Sequence, residues 1–257
     1  MNLGIKNKKA LITGASRGLG KSIAINLARE QVKVAVVART EADLKQLMIK
    51  MGGEKMGHFS YVCDLTKDGM PEKAVREITE KFGNPDIIVN NLGGTLMVND
   101  PFCPLVDWRK VWRINVEVAI ELNNLLIPNM LKNKWGRIVH VSSISALEGQ
   151  GPITYSAAKA ALTAYSRSMG RFLASDGIIM TSVLPGAVFT EGGYWDMASK
   201  DKPEHVRKYL DERMAIKRFG RPDEIGAVVT FLCSELASFC VGSTVVVDGG
   251  QGKNLFS

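Results

Sequence analysis

Tyr155 and Lys159 stand four residues apart in a run patterned as a helix over Ile153–Ser175. Four helical residues advance about 400° around the axis and about 6 Å along it, so both side chains fall on one face. A free phenol has a pKa of about 10, too high for ready proton exchange near neutrality. A neighbouring ammonium favours the phenolate and draws that value down, which suits the pair to general acid–base work.

A second constellation lies near the start. Thr13-Gly14-Ala15-Ser16-Arg17-Gly18-Leu19-Gly20 closes a short apolar strand and opens a helix. Gly14 allows a tight turn, Gly18 lets backbone approach a pyrophosphate, and Gly20 permits close helix–strand packing. An anion there meets unpaired N–H groups at a helix N-terminus. A carboxylate at the end of the next strand would receive ribose hydroxyls and favour NAD. The residue there is Ala38, followed by Arg39, and Arg17 projects from the glycine turn. Two guanidinium groups and no acid suit a 2′-phosphate, so the expected cofactor is NADP(H).

The elements that position these groups alternate along the whole chain. Strands are expected at Ala10–Thr13, Lys33–Ala38, Phe59–Cys63, Ile87–Asn90, Ile138–Val141, Ile178–Leu184 and Thr244–Val247. Helical patterns fill Gly18–Arg29, Glu41–Lys50, Pro71–Phe82, Val106–Lys132, Ile153–Ser175 and Pro222–Ser234. Each parallel crossover needs a connection of helix length, and nearly all-apolar strands such as Val34–Val37 belong in a sheet covered on both faces. The fold class is therefore α/β, a doubly wound parallel sheet of about seven strands with helices on both faces. One irregular stretch, Gly186–Lys202, runs into a charged helix at Pro203–Met214, so a substrate flap is expected around 186–214 within one domain spanning 1–257.

Other classes fit poorly. The longest apolar runs, such as Ala227–Cys233, fall far short of the roughly 20 residues of a membrane span. Met1–Lys9 has no apolar core of the kind a secretory leader needs. The 33 Lys+Arg are interleaved with 26 Asp+Glu, and the one tight basic run, Lys6–Lys9, precedes the first strand, so nucleic acid is not an expected partner. Cys63, Cys103, Cys233 and Cys240 are scattered, as are His58, His140 and His205, which leaves no metal-ligand spacing and points to reduced thiols in the cytoplasm. His140, inside a strand, reads as packed and Cys233 as core filling. Tyr194, Trp195, Met197 and Glu191 in the flap are candidate substrate contacts.

Taken together, the chain resembles the short-chain dehydrogenase/reductase family over essentially its whole length. The matching residues are the Thr13–Gly20 turn, Asp64, Asn90-Asn91-Leu92-Gly93, Asn115 within Arg113–Val116, Ser142-Ser143, Tyr155 and Lys159, Pro185-Gly186, Arg218–Glu224, and Val247-Asp248-Gly249-Gly250. The resemblance implies a single Rossmann-type domain in which Tyr155 gives a proton to a substrate carbonyl as hydride arrives. Lys159 would hold the nicotinamide ribose and depress the Tyr155 pKa, a serine would donate to the carbonyl, and Asn115 would steady a water linking Lys159 to solvent. Gly14, Ser16, Arg17, Gly18, Leu19, Gly20 and Arg39 would meet the phosphates, Asp64 the adenine, Asn91 the adenosine-side ribose region, and Val188 and Thr190 the nicotinamide carboxamide. Leu65, Gly93, Pro185 and Gly186 complete the cofactor-binding set.

The chain departs from the family pattern at Leu92, where Ala is usual. The serine is open to two counts: distance from Tyr155 gives Ser142, whereas matching the strand residue by residue gives Ser143. The second is favoured, because a one-residue loop deletion is easier than turning a strand over. The implied activity is NADPH-dependent reduction of a ketone to a secondary alcohol, with 3-oxoacyl thioesters as one substrate candidate. Lys134 stands at one of the two places where reductases of that kind carry a base, and Asp176 at the other. Alternatives are oxidation of a hydroxyl on a sugar or other small alcohol, and a non-catalytic NADP(H)-sensing protein. The apolar surplus of Val106–Lys132 and Ile153–Ser175 points to a homo-oligomer, and the resemblance implies a tetramer.

Overall fold

Seven short runs rich in Val, Ile and Ala form one parallel sheet in a computed structural model that describes residues 1–254. The strands are β1 (Lys9–Thr13), β2 (Lys33–Ala38), β3 (Phe59–Val62), β4 (Ile87–Asn90), β5 (Gly136–Val141), β6 (Ile178–Pro185) and β7 (Thr244–Val247), in the order β3-β2-β1-β4-β5-β6-β7. Every pairing is parallel, with Thr13 opposite Val37, Ile12 opposite Val89 and Asn90 opposite His140. The order reverses between β1 and β4, and at such a switch point a crevice opens beyond the carboxyl ends of the strands.

Helices α1 (Gly18–Arg29), α2 (Glu41–Met51), α3 (Met70–Lys81), α4 (Leu105–Trp112), α5 (Val118–Asn133), α6 (Ser145–Glu148), α7 (Ile153–Leu173), α8 (Tyr194–Asp201), α9 (Pro203–Arg213) and α10 (Pro222–Leu232) complete the chain. The alternating faces of the strands bury two separate cores. Ile12, Val36 and Val89 pack with Ile23 and Leu27 of α1, Leu44 and Leu47 of α2, and Ile225 and Val229 of α10. Leu11, Ile88 and Ile138 pack on the other face with Ile78 of α3, Leu122 and Leu126 of α5, and Leu173 of α7. Among the described residues no helix is long and apolar enough to cross a membrane.

The expected strands and most helices lie within two residues of their observed ends. Two regions differ. The single expected helix Val106–Lys132 is interrupted by a π-helical turn, Arg113–Glu117. Such turns recur at functional sites, and this one carries Asn115. The stretch expected to be irregular, Gly186–Lys202, contains α8, because Gly193 adopts extended backbone as its N-cap and Asp196 reaches back to accept from the Gly192 N–H at 2.8 Å.

Candidate active site

The glycine turn is held by polar side chains from β1 and from the segment after β4. The Thr13 hydroxyl oxygen accepts the N–H groups of Asn91 (3.1 Å) and Leu92 (3.0 Å). The Asn91 amide donates to the Thr13 and Gly14 carbonyls, both at 3.0 Å. Gly14 and Gly18 have φ of +63° and +56°, in the left-handed region that glycine enters without steric cost. A Cβ on Gly20 would stand 2.5 Å from both the Asn91 amide nitrogen and the Gly14 carbonyl oxygen, which accounts for the third glycine. Helix α1 then starts with Arg17 as N-cap, no side-chain cap and no acid in its first turn. Its leading N–H groups and dipole are thus presented to an anion.

The turn forms one end of a cleft of about 740 Å³. Arg17, Arg39, Asp64 and Leu65 line that end, and no ion pair among the described residues involves either arginine. The Asp64 carboxylate accepts from the Thr66 N–H (3.1 Å) and hydroxyl (2.7 Å). Burial raises its pKa, but these bonds and the Arg39 charge outweigh it, so the group stays below its ordinary value. Unpaired guanidinium groups beside a capless helix and a closely packed glycine turn fit a phosphorylated dinucleotide.

Midway along the cleft, Ser143, Tyr155 and Lys159 come together. The adjacent serines part company. Ser142 is buried, bonded to the Lys159 carbonyl (3.1 Å) and the Thr163 hydroxyl (2.8 Å) of α7. Ser143 accepts the Ser145 N–H at 3.1 Å and lies within hydrogen-bonding reach of the Tyr155 phenol. Lys159 is buried, its Nζ donating to the Val141 carbonyl at 2.8 Å and lying 5.6 Å from the centre of the Tyr155 ring.

The electrostatics differ from the expectation that Lys159 depresses the phenol. Burial pushes the Tyr155 pKa up, offset in part by the Ser143 hydrogen bond. Burial also draws Lys159 down to about 7. The phenol therefore holds its proton at neutral pH, the state a proton donor requires.

Asn115 lies behind this group and is fully buried. Its amide bonds the Gly94 N–H (3.0 Å), the Gly94 carbonyl (2.8 Å) and the Val111 carbonyl (2.8 Å), so it secures the cleft wall instead of lining the cleft. A Cβ on Gly93 would come within 2.6 Å of Asn115 Oδ1 and 2.9 Å of Lys159 Nζ. Leu92 turns partly towards the core of α3 and α5 while still lining the cleft. Of the remaining expected residues, Gly14, Ser16, Gly18, Leu19, Asn91, Gly93, Pro185, Gly186, Val188 and Thr190 line the cleft, whereas Gly20 lies packed beneath the turn.

Beyond Tyr155 the cleft is bounded by the flap. Trp195 packs against Tyr209, Phe219, Tyr194 and His205, with ring centres 4.3, 4.7, 4.9 and 6.3 Å away. Gln251 ties this flap to the sheet: its side chain accepts the Ala187 N–H (2.7 Å) and donates to the Tyr209 hydroxyl (2.8 Å) and the Gln150 side chain (2.9 Å). Sequence reasoning missed Gln251 because no local pattern marks a contact 64 residues away. It also missed Thr13 as an organiser, Leu96 and Met97 on the opposite rim, and a buried polar group behind the site. In that group Asn123 accepts from Asn90 (2.9 Å) and meets His140 Nε2 (3.0 Å), and desolvation holds His140 down near a pKa of about 3.

The sheet order, the glycine turn at the switch point and the Ser143–Tyr155–Lys159 group define a dinucleotide-dependent oxidoreductase architecture. A family model described as "Enoyl-(Acyl carrier protein) reductase" matches residues 14–251, and the chain belongs to the short-chain dehydrogenase/reductase family. It is 32% identical to the 3-oxoacyl-[acyl-carrier-protein] reductase of Aquifex aeolicus, the alignment covering 98% of this chain and 100% of that one. Among solved structures it is similar to L-sorbose reductase from Gluconobacter frateurii, complexed with NADPH and L-sorbose (31% identity, TM-score 0.92, covering 99% of this chain and 100% of that one). It is also similar to a 3-oxoacyl (acyl-carrier-protein) reductase from Agrobacterium tumefaciens with NADP bound (27% identity, TM-score 0.88, covering 97% and 96%).

Proposed function

We propose that this protein reduces a ketone to a secondary alcohol with NADPH. A hydride and a proton add across the carbonyl, and the bound cofactor supplies the hydride. Tyr155 donates the proton to the carbonyl oxygen, and Ser143 donates a hydrogen bond to the same atom. Such donors, fixed in place before charge develops, stabilise the transition state. Lys159 holds the nicotinamide ribose hydroxyls, and Asn115 positions the Gly93–Gly94 wall. Arg17 and Arg39 receive the 2′-phosphate, the N-terminus of α1 the pyrophosphate, Asp64 and Leu65 the adenine, and Val188 and Thr190 the carboxamide.

The observation that carries this reading is the Tyr155 phenol beside Ser143, midway along a cleft whose far end holds two arginines that make no ion pair among the described residues. Relatives named as 3-oxoacyl and L-sorbose reductases support ketone reduction. Oxidation of an alcohol is the same chemistry reversed. A non-catalytic sensor would need no phenol–amine pair. The test is NADPH oxidation by the purified protein across a panel of ketones, with NADH as control. Turnover favouring NADPH supports the proposal; NADPH binding without turnover on any ketone or alcohol overturns it.

Two finer readings accompany it. Leu105, Val106 and Trp112 of α4 and Ile153 of α7 are exposed, which supports a homo-oligomer, with a tetramer as the expected form. Four free cysteines fit a reducing, cytoplasmic setting.

A further inference from the structure

Resting on the ketone-reductase reading, a more specific inference comes from the rim of the cleft beyond Tyr155. Two segments line it there: Thr95–Met97, following β4, and residues of Glu191–Met197, in the flap. Leu96, Met97, Tyr194 and Met197 remain 47%, 65%, 53% and 47% exposed around this one opening. Scattered exposed apolar side chains are ordinary on a protein surface, but a cluster about a cleft mouth marks a binding surface.

The backbone of one rim is strained. Leu96 and Met97, neither a glycine, are consecutive residues with φ of +50° and +58°. The left-handed conformation is unfavourable for an L-residue, and such strain concentrates at ligand clamps and active sites. Local bonds hold it: the Met97 N–H donates to the Thr95 hydroxyl oxygen (3.2 Å) and the Val98 N–H to the Thr95 carbonyl (3.1 Å). Val98 then packs against the small buried cluster of Val111, Val116 and Ala158, against which Tyr155 also packs. The opposite rim is fixed by Trp195 in its aromatic stack. Two braced walls thus present thioether and hydrocarbon surface, with Met97 and Met197 adaptable in shape.

Charge narrows the choice further. Arg17, Arg39 and Lys159 lie towards the nucleotide end and the Tyr155 group, whereas the segments Thr95–Met97 and Glu191–Met197 hold no cation and two carboxylates: Glu191, which lines the cleft, and Asp196, which pairs with Lys200 at 2.9 Å. An anionic substrate arm would find no cation on these segments and would face the Glu191 carboxylate. We infer that the site selects ketones carrying an uncharged hydrocarbon arm, with Leu96, Met97, Tyr194 and Met197 as specificity residues, and discriminates against polyhydroxy ketones and anionic keto acids.

The test compares a 2-alkanone series of increasing length, the corresponding ω-carboxylates and L-sorbose. kcat/KM with NADPH is measured alongside dissociation constants for the NADP⁺-loaded protein. Each methylene buried between the rims should raise kcat/KM, and tighten binding, on the order of fourfold until the pocket is filled. The carboxylates and L-sorbose should fall at least tenfold below the matched alkanone. The double variant Met97→Gln/Met197→Gln should flatten the chain-length slope while still binding NADPH. Flat length dependence, or L-sorbose or a carboxylate preferred, overturns the inference. The binding series tests it even without turnover, whereas absence of turnover with every ketone counts against the reductase reading itself.

Discussion

The two ends of the cleft are built on opposite plans. At the nucleotide end, Thr13 and Asn91 bind backbone, so their side chains hold the main chain in shape and leave helix N–H groups and two arginines on the cleft. At the flap end, rings stack on rings and the side chains themselves form the surface. A site that reads a fixed phosphate geometry is made by backbone placement; a site that must suit one particular substrate is made by exchangeable side chains. Ser143, Tyr155 and Lys159 sit where the two plans meet.

Breaking the contrast at its centre should have the largest effect. Ser143→Ala removes a donor aimed at the carbonyl and should lower kcat about 10²–10³-fold, measured under saturating NADPH. A Ser143→Ala enzyme with unchanged kcat would show the serine to be structural, like its neighbour. Next, Arg17→Ala or Arg39→Ala should raise the KM for NADPH about 10- to 100-fold and that for NADH hardly at all, since each removes a charge-assisted bond to the 2′-phosphate. Equal loss for both cofactors would move the arginines out of that role.

A smaller effect tests the buried group behind the site. His140 has a folded pKa of about 3 against about 6.5 when unfolded, so the unfolded chain binds more protons between those values. Stability is therefore lost as pH falls through that window, by about 1.4 kcal/mol per pH unit from this residue alone. His140→Asn should shallow the acid limb of a denaturation series; an unchanged limb would contradict it. Lys159, at about 7 folded against 10.5 unfolded, gives a slope of the same sign above neutrality. Smallest of all, Ser142→Ala should cost about 1 kcal/mol of stability by removing its bonds to Lys159 and Thr163, and leave kcat within a few-fold.

Legibility in the sequence followed the same division. The glycine turn, Arg17 and Arg39 were readable because backbone sites demand fixed residue types at fixed spacing, and α1 and β1–β2 followed from period and polarity. The parting of Ser142 and Ser143 was readable as a choice between strand faces. The π turn at Asn115 was not, since a single-residue change of helical period leaves the apolar pattern of Val106–Lys132 intact. Nor were Gln251, Leu96 and Met97, whose places depend on tertiary contacts and on a strained conformation that no propensity favours. Spacing shows that Lys159 is near Tyr155 but not how far desolvation acts on both, raising the phenol and lowering the amine.

The central claim is that Tyr155 delivers the proton. Tyr155→Phe keeps the ring and deletes the hydroxyl, so kcat and the NADPH dissociation constant measured on the same preparation separate chemistry from binding. The account predicts kcat lower by about 10²–10⁴-fold with NADPH binding within about twofold. Turnover at the wild-type rate with the phenol gone would contradict it.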